Sequence, residues 1–240
     1  MNNCNNKKKS MKSNYVHVTF VIDESGSMTG TEADVIGGFK KVVDEQRENK
    51  EGSCSVSYYK FNGKVDEVYV GKNVEDVEYI DDKYSPNGMT ALFDGVGVAI
   101  DNTGKWLSDM NEEDRPEKVL VVVMTDGGEN SSVEYSAARV REMIKEQEDK
   151  YNWSFVYMGS DLTDAQDANS LGITTRAFAK KSAYLGNYDM INASVKAYRC
   201  SIGSAEEKNL AFTTSLSESC ENATREYANE NNLNADDLLS

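Results

Sequence analysis

Two segments dictate what this chain can become: "YVHVTFVID" at residues 15–23 and "KVLVVVMTD" at residues 118–126. Each is a near-continuous run of β-branched and aromatic residues, and each ends on a carboxylate. Strands of that kind are covered on both faces, so they predict a largely parallel sheet with helices on either side, not a sheet with one wet face. In such open α/β sheets the ligand-binding crevice lies outside the C-terminal ends of the strands, where strand order reverses. Asp23 and Asp126 are both expected at such ends.

The intervening sequence supplies the helices. Val35, Phe39, Val42 and Val43 recur at helical spacing, as do Leu92, Val96, Ala99, Ile100, Thr103 and Leu107, with Thr90 where the second helix should begin. Ser131-x-x-Glu134 has the form of a capping box ahead of Val133, Ala137, Val140 and Ile144. "WSFVYMGSD" reads as a strand, "TDAQDANSLGI" as a short helix and "TTRAFAK" as a weaker strand. Ile191, Val195, Tyr198 and Ile202 form the face of a closing helix. Asn62-Gly63 between two strand-like runs is a tight-hairpin signal, which adds one antiparallel edge strand. The expected fold is therefore α/β: a doubly wound, mostly parallel six-stranded sheet with one antiparallel edge strand and helices on both faces, joined by right-handed crossovers. Residues 1–13 are expected as a flexible basic leader, 14–203 as the domain, and 204–240 as a polar acidic tail with room for one helix.

Composition narrows the function. Across 240 residues, 41 acidic against 26 basic side chains give a formal net charge of -15. That field repels nucleic acid and anionic lipid, so neither is an expected partner. The apolar runs are far shorter than the ~20 residues that cross a bilayer, and no secretory signal precedes them, so the expected location is cytoplasmic. Cys4, Cys54, Cys200 and Cys220 are scattered without a Cys-x-x-Cys pair, which argues for free thiols and against a zinc knuckle.

The chemistry concentrates in "DESGS" at 23–27, in Thr90 and in "TDGGEN" at 125–130. If the two apolar strands are neighbours, Asp23 and Asp126 face each other across one crevice with Ser25, Ser27 and Thr90. Two carboxylates and three hydroxyls form an all-oxygen shell suited to a hard cation, Mg²⁺ in the first place, with Mn²⁺ or Ca²⁺ also compatible. A nucleophilic role for the serines lacks a base, because the only histidine, His17, lies inside the first strand. "ESGSM" is not a G-x-S-x-G elbow. "AIDNTGKW" lacks the first glycine and the final Ser/Thr of a phosphate loop. Position 25 is Ser where an Asp-x-Asp phosphotransferase pair would need Asp. Glu24 and Glu129, flanking the two loops, read as solvated carboxylates, with steering of a partner as the alternative, and Asp161 as a helix cap or a border of the site.

In this order and on these elements, the motifs resemble the metal-ion-dependent adhesion site of von Willebrand factor A domains, in the compact stand-alone form of bacteria and phages. The resemblance covers about residues 15–202. It implies that Ser25, Ser27 and Thr90 are hydroxyl ligands, that Asp23 and Asp126 act directly or through water, and that a partner protein's Asp or Glu fills the open position. It also implies a non-enzymatic, metal-dependent protein-binding module, in a setting such as an AAA+ or other multiprotein assembly. A metal-dependent hydrolase acting on phosphate, and a structural component of a phage or bacterial assembly, are the alternatives.

Overall fold

The computed structural model describes residues 11–180 and 184–239. Six strands, β1 (Lys12–Asp23), β2 (Ser53–Phe61), β3 (Val65–Asn73), β4 (Pro116–Met124), β5 (Ser154–Gly159) and β6 (Arg176–Phe178), form one sheet in the order β3-β2-β1-β4-β5-β6. Only β3 runs antiparallel, paired with β2 through the turn at Asn62-Gly63. β1 pairs in parallel with β2 and with β4, in a register that sets Asp23 beside Phe61 and Ile22 beside Met124. Strand order reverses between β1 and β4, so the two carboxylate-ending strands are neighbours at the switch point.

The apolar runs are buried on both sides as their composition requires. On one face Phe20, Ile22, Leu120 and Val122 meet Phe39 and Val43 of α1 (Glu32–Glu48) and Ile191 and Val195 of α5 (Tyr184–Cys200). On the other, Val21, Val121 and Val123 meet Val96 and Ile100 of α2 (Leu92–Ser108) and Val140 and Ile144 of α3 (Ala137–Tyr151). His17 is fully buried in β1, hydrogen-bonded to Ser55, Ser57 and Thr19 and 4.6 Å from the Trp106 ring. Burial pushes its pKa down to about 3, so the ring is neutral. "AIDNTGKW" is an ordinary stretch of α2, with Ala99, Ile100 and Thr103 buried and Asp101 and Lys105 exposed.

Four expectations change. The strand starts at Lys12, so residues 11–13 of the expected leader are ordered structure; residues 1–10 lie outside the described residues. Ser131-x-x-Glu134 caps nothing, because the backbone amides of Val133, Glu134 and Tyr135 donate to the Asp94 carboxylate and hold that stretch as a loop. The helix begins at Ala137 behind an Ser136 cap, and Val133 is 89% exposed. Ile202 falls beyond the end of α5 and is 99% exposed.

The segment from 204 onward is not a loose tail. It forms α6 (Ala205–Asn231), opened by a Ser204/Glu207 capping box, followed by α7 (Ala235–Leu239). Lys208, Phe212, Leu216, Cys220, Thr224 and Ala228 are its buried residues, one per turn. Lys208 is tied to Glu117 at 2.5 Å and to Asn14 at 2.6 Å, and Asn209 accepts from Lys118. Further along, the Thr224 hydroxyl accepts from the Phe178 amide at 3.2 Å and lies 3.3 Å from the Arg176 carbonyl. α6 therefore packs along the outer side of β6. None of the described helices is long and apolar enough to cross a membrane.

Candidate metal centre

Three segments converge at the C-terminal ends of β1 and β4. Asp23 ends β1; its Oδ1 accepts the Ser25 amide at 2.6 Å and its Oδ2 accepts the Thr125 hydroxyl at 2.7 Å. Both Asp23 and Asp126 are buried. Burial first, and the neighbouring Asp126 charge in addition, push Asp23 up to about 6 against the hydrogen bonds from Thr125 and Ser25. A buried pair of carboxylates is costly to charge unless a cation joins them.

The hydroxyls sit over the same point. Ser25 Oγ lies 2.9 Å from Ser27 Oγ. A Cβ built on Gly127 would stand 2.6 Å from Ser27 Oγ, 3.2 Å from Thr90 Oγ1 and 3.6 Å from Ser25 Oγ. Only a glycine leaves that space clear. The hydroxyls of Ser25, Ser27 and Thr90 thus converge at Gly127, beside the buried carboxylates of Asp23 and Asp126. Among the described residues no three His, Cys, Asp or Glu side chains cluster as a ligand set.

The loops that carry these groups are fastened to one another. The Tyr84 hydroxyl donates to the Asp23 carbonyl at 2.8 Å, the Gly26 amide to Gly88 O at 3.1 Å and the Asn87 amide to Glu24 O at 2.8 Å. Thr90 is held from the opposite side: its amide donates to Asn130 Oδ1 at 2.9 Å, and its carbonyl accepts from the amides of Asn130 and Ser131. Thr90 stands two residues before α2, where it is fixed by the Asp126 loop and not by helix capping. Glu24 and Glu129 are not solvated carboxylates. Glu24 is buried against Lys60 at 2.9 Å and accepts the Ser85 amide; Glu129 accepts the amides of Phe93, Ser131 and Ser132. Asp161 caps α4 (Leu162–Leu171) in a reciprocal box with Asp164. Sequence reasoning passed over Thr125, Tyr84, Asn130 and Gly127. Of these only the Gly127-Gly128 pair carried a signal, as glycine beside a suspected ligand.

The sequence model of the von Willebrand factor type A domain matches residues 17–218. This chain belongs to the von Willebrand factor type A domain family. Solved VWA structures share its fold at low identity. The vWF domain of the type V pili tip protein Mfa5 from Porphyromonas gingivalis superposes with a TM-score of 0.58 at 10% identity, covering 81% of this chain and 99% of that one. The PilB minor pilin from Streptococcus sanguinis gives 0.56 at 14% identity, with 78% of this chain and 62% of the pilin covered. Proximal thread matrix protein 1 from the mussel byssus, solved with a zinc-occupied MIDAS motif, gives 0.54 at 19% identity, covering 85% of this chain and 47% of that protein. The chain thus spans less than two thirds of the pilin and about half of the thread protein. No curated protein matches it.

Proposed function

We propose that this VWA domain is a non-enzymatic, metal-dependent protein-binding module. Asp23, Ser25, Ser27, Thr90 and Asp126 would hold the ion, Mg²⁺ in the first place. When bound, the ion supplies a Lewis-acidic coordination position for the Asp or Glu of a partner protein. The observation that carries this reading is the convergence of three hydroxyls on the Gly127 cradle beside two buried carboxylates. The chain's own side chains do the rest. Thr125 and the Ser25 amide fix the Asp23 carboxylate, Asn130 fixes the Thr90 backbone, and the two loops close around the space. Met89 and Val133, 55% and 89% exposed, stand beside the loops as apolar ground for the partner. With a net charge of -15 the chain favours a partner acid set within a basic patch.

Ser25 and Ser27 have no general base in a histidine. His17 is neutral, buried, and six residues before Asp23 on β1, about 20 Å from that end at the usual rise of a strand. The zinc held by the byssus protein makes Zn²⁺ the competitor to include in any titration. Pilus and byssus relatives also favour a role inside a larger assembly.

Affinity capture with the full chain, in Mg²⁺ and again in EDTA, tests the reading. Partner binding is expected in Mg²⁺ only, and not with Asp23→Ala. A partner retained equally in EDTA and by the folded Asp23→Ala variant refutes it.

A further inference from the structure

The loop that leads from the metal centre into α3 is held more firmly than a connection requires. Asp94, buried in the first turn of α2, accepts the amides of Val133, Glu134 and Tyr135 at 2.8, 2.9 and 2.7 Å. Glu129 accepts the amides of Phe93, Ser131 and Ser132. The Tyr135 ring lies against Gly97, and its hydroxyl donates to Asp101 at 2.7 Å. Hydrogen bonds between carboxylates and backbone amides are of the strong, charge-assisted kind, so the loop has its shape before anything binds. What it presents is Val133, 89% exposed, and the exposed Glu134. A lone surface valine needs no explanation. One held out on a fixed loop beside a cleft is a preformed contact, which spares a partner the cost of ordering it.

The cleft has a volume of about 530 Å³, and its walls include Phe93, Glu129, Val133, Glu134, Tyr135 and Arg139. It adjoins the metal centre. Phe93 is three residues after Thr90 and Glu129 three after Asp126, spans of at most about 10 Å. Its charges are one-sided: against the Arg139 guanidinium stand the carboxylates of Glu129 and Glu134 in the wall, with Asp94, Asp101 and Glu142 in contact with wall residues. Asp94 and Glu129 are occupied by backbone amides, which makes Glu134 the carboxylate at hand. An apolar and aromatic wall with a carboxylate at its rim is complementary to a long side chain that has an apolar stem and a cationic head.

The geometry points to a two-part docking surface, in which a partner protein's acid binds the ion and a lysine or arginine beside that acid enters this cleft. Its stem lies on Val133 and Tyr135, and its head meets Glu134. The basic residue stands two positions from the acid on a strand, or one turn away on a helix, because those positions share a face with it at about 5–7 Å. This inference rests on the metal-dependent binding reading and adds the feature by which one acid is chosen over another.

The test is selection from a displayed library of short peptides, each with one fixed aspartate and random residues elsewhere, on the full chain in Mg²⁺ and again in EDTA. Lys or Arg is expected to be enriched at one spacing from the aspartate, in Mg²⁺ only. Because a net charge of -15 favours basic peptides in general, the deciding readout is the position and not the total. Glu134→Lys should lose the preference at that position. Glu75→Lys, the same charge change just after β3 at the far end of the sheet, should keep it. Asp94 holds the Glu134 amide and not its side chain, so the substitution spares the loop. For a selected peptide, replacing the basic residue by Met should weaken binding about two- to fivefold on the wild-type chain and not on Glu134→Lys. EDTA-sensitive selection with basic residues spread evenly, with an apolar residue at that position, or with the preference intact on Glu134→Lys overturns this inference and leaves the metal reading standing. Selection undiminished in EDTA, or absent in Mg²⁺, overturns both.

Discussion

Substituting Gly127 by Ala separates the metal site from the fold. The added methyl would fall 2.6 Å from Ser27 Oγ, closer than real contacts allow, and 3.2 Å from Thr90 Oγ1. Ser27 is exposed and can rotate away, so the fold loses only about 0.5–1.5 kcal/mol of rotamer and contact energy. Thr90 has less freedom, because it is β-branched and its backbone is clamped by three hydrogen bonds to residues 130 and 131. The methyl therefore fills the space where the hydroxyls converge and turns one of them out. Disturbing groups that orient a metal shell costs about 10–100-fold in affinity, or about 1.4–2.8 kcal/mol. Gly37→Ala is the control: it lies in α1 with nothing near its Cβ, and should raise stability by about 0.5–1 kcal/mol with metal affinity unchanged. Calorimetric titration with Mg²⁺ and denaturant melts of both variants read the two quantities. A Gly127→Ala protein that binds Mg²⁺ as tightly as wild type, or that loses more than about 3 kcal/mol of stability, defeats the reasoning.

Other outcomes follow from the packing. Lys208→Met strands the buried Glu117 carboxylate and should cost about 3–5 kcal/mol in urea unfolding; a loss below 1 kcal/mol would mean the pair is solvated. Thr224→Val removes the acceptor of the Phe178 amide, for an expected loss of about 1–3 kcal/mol and faster exchange of that amide proton. His17 has a folded pKa of about 3, below its unfolded 6.5, so between those values the unfolded chain binds a proton that the fold refuses. Stability is then lost as pH falls from 6.5 toward 3, by up to about 1.4 kcal/mol per unit from this group. His17→Gln should show a shallower acid slope than wild type in melts across that window; identical slopes would show that the ring accepts a proton in place.

What the sequence disclosed and what it hid divide along physical lines. Asp23 and Asp126 were legible because the apolar runs before them admit only a central strand, and a strand's end fixes where its next residue sits. Ser25, Ser27 and Thr90 were read with them, and their three hydroxyls meet at Gly127. Glu24, Glu129 and Asp94 were not legible as structural groups, since their partners are a lysine or backbone amides on loops distant in sequence. Pattern reading works on side chains and is blind to amides. α6 escaped for another reason. Its buried residues run Lys208, Phe212, Leu216, Cys220, Thr224, Ala228, one per turn, with two polar members and two small ones. So narrow a stripe leaves the segment polar on average, although it is held along its whole length.

The Thr224 hydroxyl, with one contact to the Phe178 amide and another to the Arg176 carbonyl, has a consequence for self-association. It occupies the backbone groups that a neighbouring molecule's strand would need in order to add itself to the sheet on that side. The far border, β3, is broken in register at two places, which spoils it as a template. Fibre growth by strand recruitment is thereby blocked at one border and hampered at the other, and polymers containing this protein must be joined through its loops and helices.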